Sequence, residues 1–330
     1  MFKYIALLTL ILHTSVFSAE PPVVGWIPPK KQDIEQVLAH TTKARISFNN
    51  LVEICKDDKD SSAYTYRPLI KGKKVHSGGG GGVENDVLVP YNQKNLGSCV
   101  GHGTIHALEI TYANDVYVRN KRVKWLYSMD PQAMYALSRY KHKGSWEGST
   151  GAWSIDALKT LGSLHNKKYK NFDLSGNSIN LARQWQSQGV PSELLEQARP
   201  FTGDGVLVST VEEVRVALQN GYGAFFGAKA SFSNKRDKDG FSRRTGTSWA
   251  HAMGVGAYRS EKETGREGYL VINSWGKNWI SGPRFKDQPY GSFYITAEEL
   301  KFLIDQKDFY IVTNYAGFEK TGIDWEQFIR

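Results

Sequence analysis

Cys99 is the residue whose type and setting point most directly to chemistry. It ends a Gly97-Ser98-Cys99 turn and opens a helical run over residues 100–117. A thiol at a helix N-terminus meets free N–H groups and the positive end of the macrodipole, which favour an anion. That draws the thiol toward the reactive thiolate. Gln93 lies six residues upstream, where its amide and the Cys99 N–H supply two donors for an oxyanion. His251 begins an alternating apolar run over residues 251–258, and Asn273 ends a second apolar run, with Trp275 two residues on. His251 is 152 residues after Cys99, and Asn273 is 22 after His251. Two strands joined by a hairpin bring the imidazole and the amide together, giving a base and the group that orients it.

These pieces, in this order, resemble a divergent papain-like cysteine peptidase. Gly-Ser-Cys alone is a weak signal. Gln93 with Gly97-Ser98-Cys99, then His251, then Asn273-Ser274-Trp275-Gly276 is a strong one. Three further stretches fit. Glu109 matches a structural acid, Gly148-Ser149-Thr150-Gly151-Ala152-Trp153 a loop and helix that bind substrate backbone, and Gly291-Ser292-Phe293-Tyr294-Ile295 a late glycine–aromatic strand. The resemblance covers residues 83–296 in ordered pieces separated by inserts. It implies Cys99, His251 and Asn273 as the catalytic residues and Gln93 in the oxyanion hole. Trp275 would cover the His251–Asn273 bond, and Gly148, Ser149 and Gly151 would contact the substrate. Ala250, beside His251, is a further substrate-contact candidate, with plain packing as its alternative. The implied reaction is peptide-bond hydrolysis on a protein or peptide substrate, with no cofactor and no metal. Two departures stand out. Leu96 replaces a cysteine whose disulfide partner would lie at or near Ser149, so that bridge is absent. Val100 replaces an aromatic behind the nucleophile.

Two rival functions remain at this level: a non-catalytic binding or structural protein on the same fold, and a cell-wall amide hydrolase using the same Cys/His chemistry. Cys55 reads as a quiet thiol, the alternative being a Cys55–Cys99 bridge that locks a precursor. His102 and His106 stand at metal-binding helical spacing, but without an evident third ligand they read as packing residues. The basic cluster Lys235, Arg236, Lys238, Arg243 and Arg244 reads as a solvated loop.

The elements needed to position these groups are legible. Helices are expected over residues 131–140, 154–161 and 211–220, the last opened by Thr210 and Glu213. Residues 33–52 read as one or two amphipathic helices, and residues 164–180 as a polar surface loop. Strands are expected over residues 223–228, 252–258, 269–273 and 292–296. Helices first and strands later argue α+β. The implied architecture is a two-lobed papain-like fold, with a helical lobe over residues 83–205 and an antiparallel sheet or barrel lobe over residues 206–330. The active site would lie in the cleft between them.

Length and composition set the outer limits. The chain has 330 residues, a net charge of +9 and two cysteines. That excludes a disulfide scaffold, a cysteine-rich zinc module and a mainly disordered chain. The basic residues form no stripe, so no nucleic-acid partner is expected. Residues 1–18 read as a secretory signal peptide, and no later run is long enough to insert in a membrane. An exported, monomeric protein is expected. Residues 19–82, ending in the flexible run Gly78–Gly82, read as an intramolecular pro-segment by position.

Overall fold

A computed structural model describes residues 25–55, 64–72, 81–119, 128–314 and 317–320. The proposed signal peptide and Gly78 to Gly80 lie outside them. In chain order the elements are α1 (Lys31–His40), α2 (Thr42–Ile54), α3 (Arg67–Gly72), β1 (Val83–Glu84), β2 (Val87–Leu88), α4 (Cys99–Tyr117), α5 (Pro131–Ser138) and α6 (Gly151–Thr160). Then follow β3 (Lys168–Tyr169), β4 (Phe172–Asp173), α7 (Ile179–Gln188), α8 (Ser192–Ala198), β5 (Gly203–Leu207), α9 (Val211–Gln219), β6 (Ala224–Lys229) and β7 (Ala250–Arg259). The last are α10 (Glu261–Thr264), β8 (Gly268–Ile272), β9 (Ser292–Ile295), α11 (Ala297–Asp305) and β10 (Phe309–Asn314).

Six antiparallel strands form one sheet in the order β5-β10-β6-β7-β8-β9. The sheet is open, which corrects the barrel alternative. Strands β5 and β9 are its edges; α2 and α6 pack against β5, and a loop covers β9. On the β9 side, the Ser242 N–H donates to the Tyr294 carbonyl and the Tyr294 N–H to that of Gly240. One face of the sheet packs against α2, α9 and α11 around Phe48, Val214, Phe226, Val255, Leu300 and Phe309. The other face carries α4 and, beyond it, the helical layer, with Leu108, Met134, Leu158 and Trp185 at its core.

Helix α4 is therefore sandwiched, and its residues 99–115 are all buried. A helix with no polar face is the sequence form of that position. Close approach needs small residues on both sides. A Cβ on Gly254 of β7 would fall 2.8 Å from the His106 side chain, and one on Gly101 would fall 2.4 Å from the Pro131 carbonyl oxygen. The helix N-terminus bearing Cys99 is thereby fixed against the strand bearing His251.

Most expected elements lie within a few residues of their predicted positions. The Thr210–Glu213 capping box is formed, each side chain bonding the other's backbone N–H. The stretch expected as one or two helices breaks at Thr41 into α1 and α2. The polar segment 164–180 is more ordered than a loop: it folds a short β3–β4 hairpin and buries Leu174 and Asn177. The basic cluster is solvent-exposed at Lys235, Lys238, Arg243 and Arg244, as expected, and anchored at Arg236. Arg236 is buried and donates to the carbonyls of Ser281, Gly282 and Ser292. Arg244 pairs with Glu299 at 2.7 Å. No helix among the described residues is long and apolar enough to cross a membrane.

Candidate active site

The loop before α4 is tied to both sides of the cleft. Buried Glu109 accepts from the Tyr91 hydroxyl at 2.7 Å and from the Met129 N–H at 2.9 Å. Two residues on, the Gln93 N–H donates to the Ser274 carbonyl at 2.8 Å. Its side-chain Oε1 accepts from Ser274 Oγ at 2.6 Å, and its Nε2 donates to Leu96 O at 3.0 Å. Gln93 thus sits between the turn leading to Cys99 and the residue after Asn273.

Strands β7 and β8 pair as neighbours, and this brings His251 to Asn273. His251 Nε2 donates to Asn273 Oδ1 at 2.8 Å, and the same oxygen accepts from the Ser274 N–H at 2.7 Å. With Nε2 carrying the proton, Nδ1 is left as a buried lone pair with no hydrogen-bond partner. Trp275 stacks on the imidazole, ring centroids 4.4 Å apart, and is itself packed by Trp249 and Trp279. Cys99 packs with Val100 and with Ala252, the residue after His251.

A strap formed by residues 25–27 lies across this site. The Gly25 and Trp26 N–H groups both donate to the Ala250 carbonyl, at 3.2 and 3.1 Å. Ser149 N–H donates to Gly25 O and Ile27 N–H to Ser149 O, each at 2.8 Å. The indole of Trp26 fills a slot beside Cys99, Val100 and Ala252. Gly227 leaves the room: a Cβ there would fall 2.0 Å from Trp26 Nε1. At the end of the slot Asp308 accepts from Trp26 Nε1 at 2.6 Å and from the Gly151 and Ala152 N–H groups at 2.8 and 3.2 Å. Gly25 crosses so close to the turn that its Cβ would meet Gly97 O at 2.3 Å.

Two of the substrate-contact candidates, Ser149 and Ala250, are thus engaged by the chain's own backbone. The other two serve the scaffold. Gly148, at φ 108°, accepts from Arg139, and Gly151 caps Asp308. Sequence reasoning missed Trp26 and Asp308. They are 282 residues apart, and nothing local marks either one.

Desolvation dominates the electrostatics. Burial pushes the Cys99 thiol up to about 12, against backbone N–H groups of Ala252, Gly25 and Val100 that favour the thiolate. Burial lowers His251 to about 4, against its bond to Asn273. Both shifts favour the neutral thiol and the neutral imidazole. The thiolate expected from the helix N-terminus is outweighed here by loss of solvent.

His102 and His106 are packing residues. His102 Nδ1 lies 2.9 Å from Ser98 O, and the His106 ring packs on Tyr91. Burial holds His102 at about 4. A folded-state value below the unfolded one contributes stability above about pH 6.5 that is lost as pH falls toward 4. His102→Gln is expected to reduce the drop in melting temperature between pH 7 and pH 4.5, read by thermal unfolding. An unchanged drop contradicts this.

The missing disulfide has a substitute. Leu96 packs with Tyr135 and Ala182, and Ser149 Oγ bonds Ser138 Oγ at 2.7 Å. Both cysteines are free and buried, so the Cys55–Cys99 lock is excluded. Cys55 lies in the core, where Asn220 Nδ2 donates to its sulfur at 3.5 Å.

The chain is similar in structure to xylellain, a cysteine protease from Xylella fastidiosa, with 13 % identity and a TM-score of 0.51 over 88 % of this chain and 96 % of that one. It is similar also to procathepsin B S9 of Trypanosoma congolense, with 11 % identity and a TM-score of 0.45 over 88 % and 82 % of the two chains. Bromelain of Ananas comosus, solved with the E64 inhibitor, gives 14 % identity and a TM-score of 0.39 over 71 % and 94 %. No protein-family model and no curated protein matches the chain. The likeness to xylellain identifies the architecture: the chain has the papain-like α+β fold that its motifs imply.

Proposed function

We propose that this protein is a cysteine endopeptidase, exported and made as a precursor whose N-terminal segment covers the site. The observation that carries this reading is the His251–Asn273 bond, which fixes the tautomer and leaves Nδ1 as a base on the strand packed against Cys99. With the strap displaced and water admitted, the desolvation that keeps both groups neutral is relieved. His251 Nδ1 then takes the Cys99 proton, giving a thiolate–imidazolium pair. The thiolate attacks a peptide carbonyl. The Cys99 N–H and the Gln93 amide hold the oxyanion, a donor of this kind contributing about 2.7–4 kcal/mol. His251 protonates the leaving amine, and water hydrolyses the thioester. Trp275 keeps water from the His251–Asn273 bond, which strengthens it. Protein or peptide substrates fit a site that already accepts an extended backbone between Ala250 and Ser149.

The test is covalent capture. A peptidyl epoxide, applied to protein with the Trp26→Ala change and followed by peptide mapping, is expected to modify Cys99 and leave buried Cys55 untouched. Absence of a Cys99 adduct, or equal modification of the two thiols, rules the reading out. A screen of proteins against peptidoglycan peptides separates an endopeptidase from a cell-wall amide hydrolase.

A further inference from the structure

The N-terminal segment does not behave as one unit. Residues 25–40 lie on the surface of the helical side. Within α1 only Asp33 and Val37 are buried, Val37 alone reaching the helical-side core with Leu108 and Leu158, and upstream of it the buried anchor is Trp26 with Gly25 beside it. Polar contacts hold the rest. Gln36 and His40 reach Asp156, and Lys159 donates to the His40 carbonyl.

Beyond the buried turn at Thr41 the character changes. Ala44, Phe48, Leu51, Cys55 and Tyr64 are members of the main sheet core, together with Phe226, Val255 and Phe309. Tyr66 and Leu69 belong to a second core with Ile110, Leu270 and Ile272. The backbone is wired in as well. Tyr66 N–H donates to Gly256 O at the bulge of β7, Asn114 Nδ2 to Thr65 O, and Thr65 Oγ1 to Leu218 O. Arg45 bonds Leu207 O and Glu213, and Arg67 and Arg259 share Asp287. Without these residues both cores would be left open to water, since buried aromatic and aliphatic side chains carry most of the stabilisation of a core.

We infer that the inhibitory element is the short strap and α1, residues 25–40, while residues 42–55 and 64–72 are a permanent part of the catalytic fold. This deepens the precursor reading and rests on it. A cut in the glycine run Gly78–Gly82, the boundary that the sequence suggests, therefore does not open the site. Residues 42–55 and 64–72 stay seated in the core, and the strap remains tethered to them at high effective concentration. Opening requires a cut upstream of Thr42 or release of the strap itself.

The experiment uses the full chain with a site-specific protease sequence inserted in the glycine run. After cleavage, the two fragments are expected to co-elute in size exclusion. Cys99 alkylation by iodoacetamide, followed by mass spectrometry, is expected to stay within twofold of the uncut rate. Loss of the N-terminal fragment, or a tenfold or greater rise in Cys99 alkylation on this cut, overturns the inference. The uncut Trp26→Ala protein reads the underlying premise separately. A tenfold or greater rise there supports the strap as the shield. No rise there means that the strap does not shield Cys99, and the precursor reading fails with the inference.

Discussion

In protein freed of its strap, His251→Ala is expected to lower kcat/KM toward a peptide by about 10⁴-fold or more. The imidazole has its tautomer set by a fixed partner, Asn273, and its free nitrogen lies on the strand packed against Cys99. Without it no base takes the thiol proton, and no acid returns one to the leaving amine. The fold should tolerate the change. His251 lies at the start of β7, and its backbone pairing to Ala228 does not depend on the ring. Steady-state kinetics with circular dichroism on the same sample makes the comparison. A loss of less than tenfold in a folded variant removes His251 from the mechanism.

The second large effect belongs to Trp26. Its indole is buried, with 4 % exposure, and its Nε1–H ends on the Asp308 carboxyl. Truncating a buried Trp to Ala typically costs about 3–5 kcal/mol. Charged to strap docking rather than to the whole fold, that is on the order of 10² to a few times 10³-fold in the population with an open cleft. Alkylation of Cys99 should accelerate accordingly and should level off once the strap is fully displaced. The remaining strap contacts are backbone bonds that water can replace, so the indole is the anchor. A change below threefold would place the shielding elsewhere.

The proposed catalytic constellation is readable because each part of it is local. A Gly-Ser-Cys turn at a helix start, a His at the head of an apolar strand and an Asn at the end of another are each readable in about ten residues. Pairing of β7 with β8 then needs only a hairpin between them. The helix and strand assignments around them follow from periodicity and caps such as Thr210–Glu213. The strap was not legible. Its key bond joins Trp26 to Asp308 at opposite ends of the chain, and the slot exists because Gly227, on a third element, has no side chain. The pro-segment boundary was placed by the glycine run, a composition signal. The boundary inferred above rests instead on burial of Phe48, Tyr64 and Tyr66, which local sequence pattern does not reveal. The open sheet likewise depends on which strands pair, and β10 enters between β5 and β6 from far along the chain.

The pair of free cysteines has a practical consequence. One thiol stands at the proposed site of chemistry and the other is sealed in the core, so no covalent cross-link joins distant parts of the described chain. The mechanical integrity of this protein owes nothing to sulfur oxidation state. Reductants that keep a nucleophilic thiol competent leave the scaffold untouched. Folding and catalytic readiness therefore answer to separate chemical conditions, and a reducing agent acts on only one of them.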